Sequence, residues 1–296
     1  MSRKKKASKP LTDKQKLKAQ VKSEVAGARV DSPYAFIRSE VLHKGGRHKF
    51  AKDLLREYEQ GDGSEDAKNR ADTALYRGFA EMGLSQDTAY MATLEVQLQT
   101  AYLGCGRAIY HVDPALMPDL LNTEKNASTK LSELHPKGGY LRFDHMGIES
   151  FESYEGVLVE PTQDKEGNPL LKLCIIPEAW GTEAMPVVGA ITPPRVSFLF
   201  LGDPEKCFSD VVSSDNVTLD EQSEADIGQL DGAKVLSLVL NTLLHIQTYP
   251  ERQRMAVEPS SQKCVDKVRH DIRSTKAVVD DQLLLDCGFI NINHVH

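Results

Sequence analysis

Between Lys234 and Gln247 the chain reads KVLSLVLNTLLHIQ. Leu236, Val239, Leu240, Leu243 and Leu244 recur at helical spacing, while Val235, Leu238 and Ile246 widen the apolar surface. The spacing predicts a helix buried on several sides. Ser237, Asn241 and His245 fall at successive i,i+4 positions, so they form one polar stripe whose groups need hydrogen-bond partners wherever they are covered. Two uses of that stripe are open: satisfied polar groups inside a core, or the floor of a pocket.

Upstream the pattern is helical as well. A short helix over Tyr34–Leu42 reverses at Lys44-Gly45-Gly46-Arg47 into a helix over His48–Glu59, whose apolar face is Phe50, Leu54, Leu55 and Tyr58. Ser64 caps a helix that ends at Gly83, and Ser85 caps Gln86–Leu103, with Met91, Leu94, Leu98 and Tyr102 as its stripe. Residues 114–138, broken by Pro114, Pro118 and Pro136, read as a connector. After Gly138-Gly139 the period changes. Tyr140–Phe143, Gly156–Glu160, Leu170–Ile176 and Val196–Leu201 are short β-branched or aromatic runs separated by turn residues, and they predict an antiparallel meander. A helix over Gln262–Asp281 and an apolar piece, Leu283–Ile292, follow the long helix. The fold class these elements predict is α+β, with an N-terminal helical bundle followed by an antiparallel sheet packed against the long apolar helix. The expected divisions are a basic disordered arm over residues 1–30, a helical region over 31–112 and an α+β domain over 113–296 that includes the packing helix at 232–248.

Composition narrows the class without naming a reaction. The 296 residues are 40% hydrophobic and 27% charged, enough for a sizeable core. No stretch reaches the roughly 18 apolar residues of a membrane span, and the basic N-terminus is not followed by an apolar run, so a soluble cytoplasmic protein with no membrane partner is expected. Cys105, Cys174, Cys207, Cys264 and Cys287 are scattered and never form a CxxC pair, which suits reduced thiols rather than a disulfide framework or a zinc ribbon. Charge is unevenly spread. Residues 1–22 carry nine Lys or Arg against the single acid Asp13, a net of +8, which leaves −15 on residues 23–296 out of a total of −7. Arg3, Lys4, Lys5, Lys6 and Lys9 are therefore candidates for phosphate contacts, with a solvated leader as the plainer reading.

A search for chemistry returns little. His-Glu-x-x-His, Gly-x-Ser-x-Gly, a P-loop and Gly-x-Gly-x-x-Gly are all absent from the sequence, and no cofactor is implied. A metal nuclease could be sought in Glu155, Glu160, Asp164 and Lys172, but Leu170 stands where the carboxylate two residues before the lysine belongs. His294 and His296 would face one side of a strand and begin a metal site, with no third ligand evident nearby. Cys105 has His111 as its nearest histidine in sequence for a nucleophile and base pair. Trp180, the sole tryptophan, lies on a loop beside a strand and is either a lid over the core or an interface anchor.

The succession Tyr140-Leu141-Arg142-Phe143, Glu155-Gly156-Val157-Leu158-Val159, further strands, and then the run from Lys234 to Ile246 resembles a diverse family of phage and plasmid proteins over roughly residues 90–296. That family includes a type V-A anti-CRISPR protein that blocks production of the CRISPR nuclease rather than its cutting. Its members continue past a strand into a basic segment rich in histidine, arginine and tryptophan, where this sequence has Ile290-Asn291-Ile292-Asn293-His294-Val295-His296. The resemblance implies a counter-defence inhibitor. Together with the missing catalytic motifs and the acidic body, it leads to the expectation of a non-enzymatic protein-binding module. Its partner would be another protein, such as a basic nucleic-acid-handling defence protein, contacted through Trp180, Ser237, Asn241 and His245. The alternatives are a nucleic-acid- or ribosome-associated protein acting through the basic arm, and an enzyme with a site near His245.

Overall fold

A computed structural model describes residues 16, 19, 32–42, 47–61, 65–122, 128–148, 151–163, 166–178, 180, 194–201, 206–212, 229–257 and 291–296. Arg3, Lys4, Lys5, Lys6 and Lys9 of the basic arm, Asp164, and the helix expected over 262–281 lie outside the described residues. Residues 34–256 and 292–296 make up one compact unit.

Helices come first along that unit: α1 (Ala35–Leu42), α2 (Arg47–Gln60), α3 (Glu65–Glu81) and α4 (Gln86–Gly104). The α4 N-terminus is set by Ser85, whose hydroxyl accepts from the Thr88 amide, and Gly83 (φ +85°) takes the left-handed conformation that separates α3 from α4. Ala51, Leu54, Phe79, Ala89, Ala92 and Val96 join α2, α3 and α4 in one apolar cluster. The opposite flank of α4 is covered too: Leu98 and Tyr102 are buried, and Phe36 of α1 stacks on Tyr102 with centroids 4.7 Å apart.

The sheet combines β1 (Ile109–Val112), β2 (Gly139–Phe143), β3 (Tyr154–Gln163), β4 (Pro169–Pro177), β5 (Arg195–Phe200), β6 (Gln253–Val257) and β7 (Asn291–Val295) in the order β5-β4-β3-β2-β1-β7-β6. The expected antiparallel sheet is corrected to a mixed one. β2 through β5 form an antiparallel meander, but β1 pairs parallel with both β2 and β7. The physical reason is connection length: a parallel neighbour requires a crossover of a dozen or more residues, and residues 113–138 provide one, with a turn at Pro114–Leu116 and a short helix α5 (Met117–Asn122). β1 is only four residues, too short to show a period. The division expected at residue 112 therefore falls between two paired strands of one sheet.

Alternation along the strands gives the sheet two unlike faces. Leu141, Phe143, Val157, Val159, Leu171, Leu173 and Ile175 pack with Met117 and Leu120 of α5 and with α6 (Phe208–Val212). The same cluster takes in Leu236, Leu238, Val239, Leu240 and Leu243 of α7 (Gln229–Thr248). Tyr140, Arg142 and His111 point to the other face, where Phe36 meets the Tyr140 ring edge-on and Tyr34 meets His111. Gly156 permits that approach, because a methyl group there would press into the Leu141 carbonyl oxygen and lie 2.7 Å from Tyr140 Cε2. No helix among the described residues is long and apolar enough to cross a membrane.

Candidate functional site

Three parallel strands, β2, β1 and β7, end together. β1 lies between the other two, in register with both up to Val112, Phe143 and Val295. Polar chemistry gathers there. His111 and His294 are register partners, and their rings lie 5.2 Å apart at 23°; His296, two residues on, continues the row at 6.1 Å and 12°. Each outer imidazole has a carboxylate: His111 Nε2 lies 3.2 Å from Asp144 Oδ1, and His296 Nδ1 lies 3.1 Å from Asp113 Oδ2. The hydroxyl of Tyr34 sits 2.9 Å from His111 Nδ1.

The positions follow from local structure. Asp113 caps the Pro114–Leu116 turn, accepting from the Ala115 amide at 2.9 Å, and its own amide donates to the Val295 carbonyl, also at 2.9 Å. The Ala115 amide, then the His296 imidazole, hold the Asp113 carboxyl below the usual carboxylate range. His294 is placed differently. Burial, then the neighbouring His111 and His296, push its proton affinity below the ordinary histidine value, against a smaller upward pull from Asp113 and Asp144. Among the described residues no group of three or more His, Cys, Asp or Glu is arranged to hold a metal ion, so the row is not a formed metal centre.

On the same face a clasp of buried charge fixes α1 to the sheet. Glu155, 3% exposed, accepts from the Ala35 amide at 2.9 Å and the Tyr140 hydroxyl at 2.6 Å on Oε1, and from Arg38 at 3.0 Å on Oε2. The same Arg38 nitrogen also donates to the Glu178 and Trp180 carbonyls. Burial raises the Glu155 carboxyl above its usual range, with Arg38, Arg142 and Tyr140 pulling it back. With its oxygens committed in this way, Glu155 is a structural carboxylate. Glu160 is committed as well, to Lys68 at 2.7 Å, so the metal nuclease reading has no free carboxylate in either position.

On the α5–α7 side lies a groove of about 590 Å³. Leu116, Leu120 and Leu244 form apolar walls, Asn241 and His245 contribute polar groups, and Tyr249 and Arg252 stand at one end. Arg252 caps the Tyr249 ring at 4.5 Å, and His245 meets the same ring at 5.0 Å.

The residues expected to bind a partner are thus split. Asn241, 3% exposed, donates to the Leu120 carbonyl at 2.8 Å and so ties α7 to α5 from the groove floor. His245 Nε2 lies 3.2 Å from the His296 carbonyl, which joins the groove to β7. Ser237 is half-buried and lies outside the groove, receiving a long hydrogen bond from Asn241 at 3.4 Å. Trp180 is corrected: at 1% exposure its indole belongs to the interior, and an anchor for a partner must present surface that the partner can cover. Cys105 is no nucleophile paired with His111. Its thiol faces the Val159 carbonyl at 3.5 Å, and burial, aided by Glu160, pushes its pKa up to about 12.

Sequence reasoning missed Asp113 and Asp144 and weighed His111 only as a base. The usable signal was His111-Val112-Asp113 beside His294-Val295-His296, two alternating polar pairs that a shared sheet face brings together. No family model matches the chain, no curated protein matches it, and no solved structure matches it.

Proposed function

We propose that the chain is a non-enzymatic binding module of mobile-element type. In this reading a helical N-terminal region leads into a sheet with a long apolar helix packed on it, and the groove between α5 and α7 holds a segment of another protein. The groove is the observation that carries the reading. Its volume of about 590 Å³ lies within the roughly 300–1,000 Å³ of ordinary ligand sites, and it has apolar walls with a few placed polar groups. Tyr249, 39% exposed, supplies the kind of aromatic surface that dominates binding energy. The excess of acid over residues 23–296 favours a basic partner, such as a protein that handles nucleic acid. The resemblance to phage and plasmid proteins supports extending this to counter-defence inside a bacterial host.

The test is capture by the tagged full chain from lysate of cells that carry a type V-A CRISPR system, with and without nuclease treatment. The expected result is a stoichiometric protein that survives nuclease, is lost with Leu244→Glu and Tyr249→Ala together, and is retained by His135→Ala outside the groove. Recovery only of nucleic acid and ribosomal proteins, abolished by nuclease or by deleting residues 1–22, would overturn the reading. It would move the function to Arg3, Lys4, Lys5, Lys6 and Lys9, whose phosphate contacts weaken steeply with salt.

A further inference from the structure

We propose that the row His111–His294–His296 is a pH-operated latch, which holds β7 against β1 while His294 is neutral and loosens it on acidification. The geometry supplies the mechanism. His294 is the middle ring of three, 5.2 Å from one neighbour and 6.1 Å from the other, and no hydrogen bond from a described residue reaches its ring nitrogens. His111 and His296 each lie against a carboxylate, Asp144 and Asp113, and flank His294 on both sides. Among the described residues the central ring has no carboxylate of its own. A charge there is relieved by moving the strand that bears it.

β1 brings His111 and Asp113, and the end of β2 brings Arg142 and Asp144, 3.8 Å apart. Tyr34 bonds to His111, and α7 brings His245, which bonds to the carbonyl of His296 rather than to its ring. On the other flank of β7, β6 carries Arg254, which is exposed. The two carboxylates act on His294 only from beyond its neighbours, and their pull is outweighed by burial and by the two imidazoles. A histidine with lowered proton affinity in the docked state contributes stability above its ordinary value of about 6.5. That contribution is lost as pH falls, because the released strand takes up the proton that the docked strand refuses.

Hydrogen exchange of the full chain, corrected for intrinsic rates, tests the latch. Between pH 7.5 and 5.5 the amides of 291–295 should lose protection by up to roughly tenfold, the limit for one histidine one pH unit below its ordinary value, while β3 and β4 hold theirs. His294→Gln should abolish the pH dependence. An equal loss in that variant, or none in the wild type, would overturn the proposal. Should His294→Gln fail to dock β7 at any pH, the wild-type ring resonance decides. Titration of His294 well below about 6.5, in step with loss of β7 amide protection, supports the latch, and an ordinary midpoint refutes it.

Discussion

The two faces of the sheet are built from neighbouring residues of the same strands and are held by different physics. On the α5–α7 face, Leu141, Val157, Leu238 and Leu240 are apolar and buried, and their cohesion is dispersion and water exclusion, which are not directional. On the α1 face, Tyr140 and Arg142 alternate with those same leucines and valines, and α1 is fastened by hydrogen bonds that converge on one carboxylate. Directional bonds specify where α1 sits. The apolar face supplies bulk stability, and the polar face supplies position.

Removing Glu155 should therefore cost most. Glu155→Ala leaves the Arg38 guanidinium, the Ala35 amide and the Tyr140 hydroxyl without their shared acceptor, and loss of one member of a buried pair costs about 3–5 kcal/mol. A simple buried pair is often replaced by apolar residues without loss. Here the double variant Arg38→Leu/Glu155→Leu should stay destabilised in urea unfolding, because two further donors remain unsatisfied. Recovery to wild-type stability would show that the clasp is an ordinary ion pair and would break the contrast between the faces.

Leu240→Ala tests the opposite face. The side chain is fully buried, so truncation should cost about 2–5 kcal/mol, depending on how far α7 settles into the gap. The loss should be the same at pH 5 and pH 7, since no titrating group changes its surroundings. Glu155→Gln should behave otherwise. A carboxyl whose folded proton affinity is raised contributes stability that is fully present below the ordinary glutamate value of about 4.3 and is lost as pH rises through the raised value. The difference in urea midpoint between wild type and Glu155→Gln should thus be largest in acid and shrink towards neutrality. A difference that grows with pH would mean that Arg38 outweighs burial.

This contrast between faces explains what the sequence discloses. The apolar face is legible because it is periodic: the run over Lys234–Gln247 shows helical spacing, and the structure has a helix there, from Gln229 to Thr248. Leu170–Ile176 is a short apolar run broken only by Lys172 and bounded by turn residues, and the strand there runs from Pro169 to Pro177. The polar face is illegible for a matching reason. Its bonds join residues far apart, with Arg38 and Glu155 separated by 117 positions and Asp113 and His296 by 183, and no local pattern announces such a meeting. The parallel pairing of β1 fails for the same cause, since a four-residue strand owes its state to its partners. Asn241 and His245 reach the groove because the i,i+4 stripe is a local property. Trp180 could not be placed, because a tryptophan on a loop has the same sequence signature whether it points inwards or outwards.

The smallest effect expected concerns Cys105, where α4 meets β3, and it reports whether the polar face stays dry. A thiol with a pKa of about 12 is almost wholly protonated at pH 8, whereas an ordinary thiol near 8.5 is about a quarter thiolate. Only the thiolate is alkylated. Iodoacetamide should therefore label Cys105 in the native protein at least about a thousandfold more slowly than in urea, by peptide mass spectrometry, with no change in fold or stability. Gly138 sharpens the result: a Cβ at this position would lie 2.9 Å from Pro161 Cδ and press into the Cys105 sulfur, so Gly138→Ala should displace the thiol. Faster labelling in that variant would locate the exclusion of water in this one contact. Rapid labelling of the wild type would mean that solvent reaches β3 from the α4 side, and the polar face would then owe its hydrogen bonds to geometry without the help of a low dielectric.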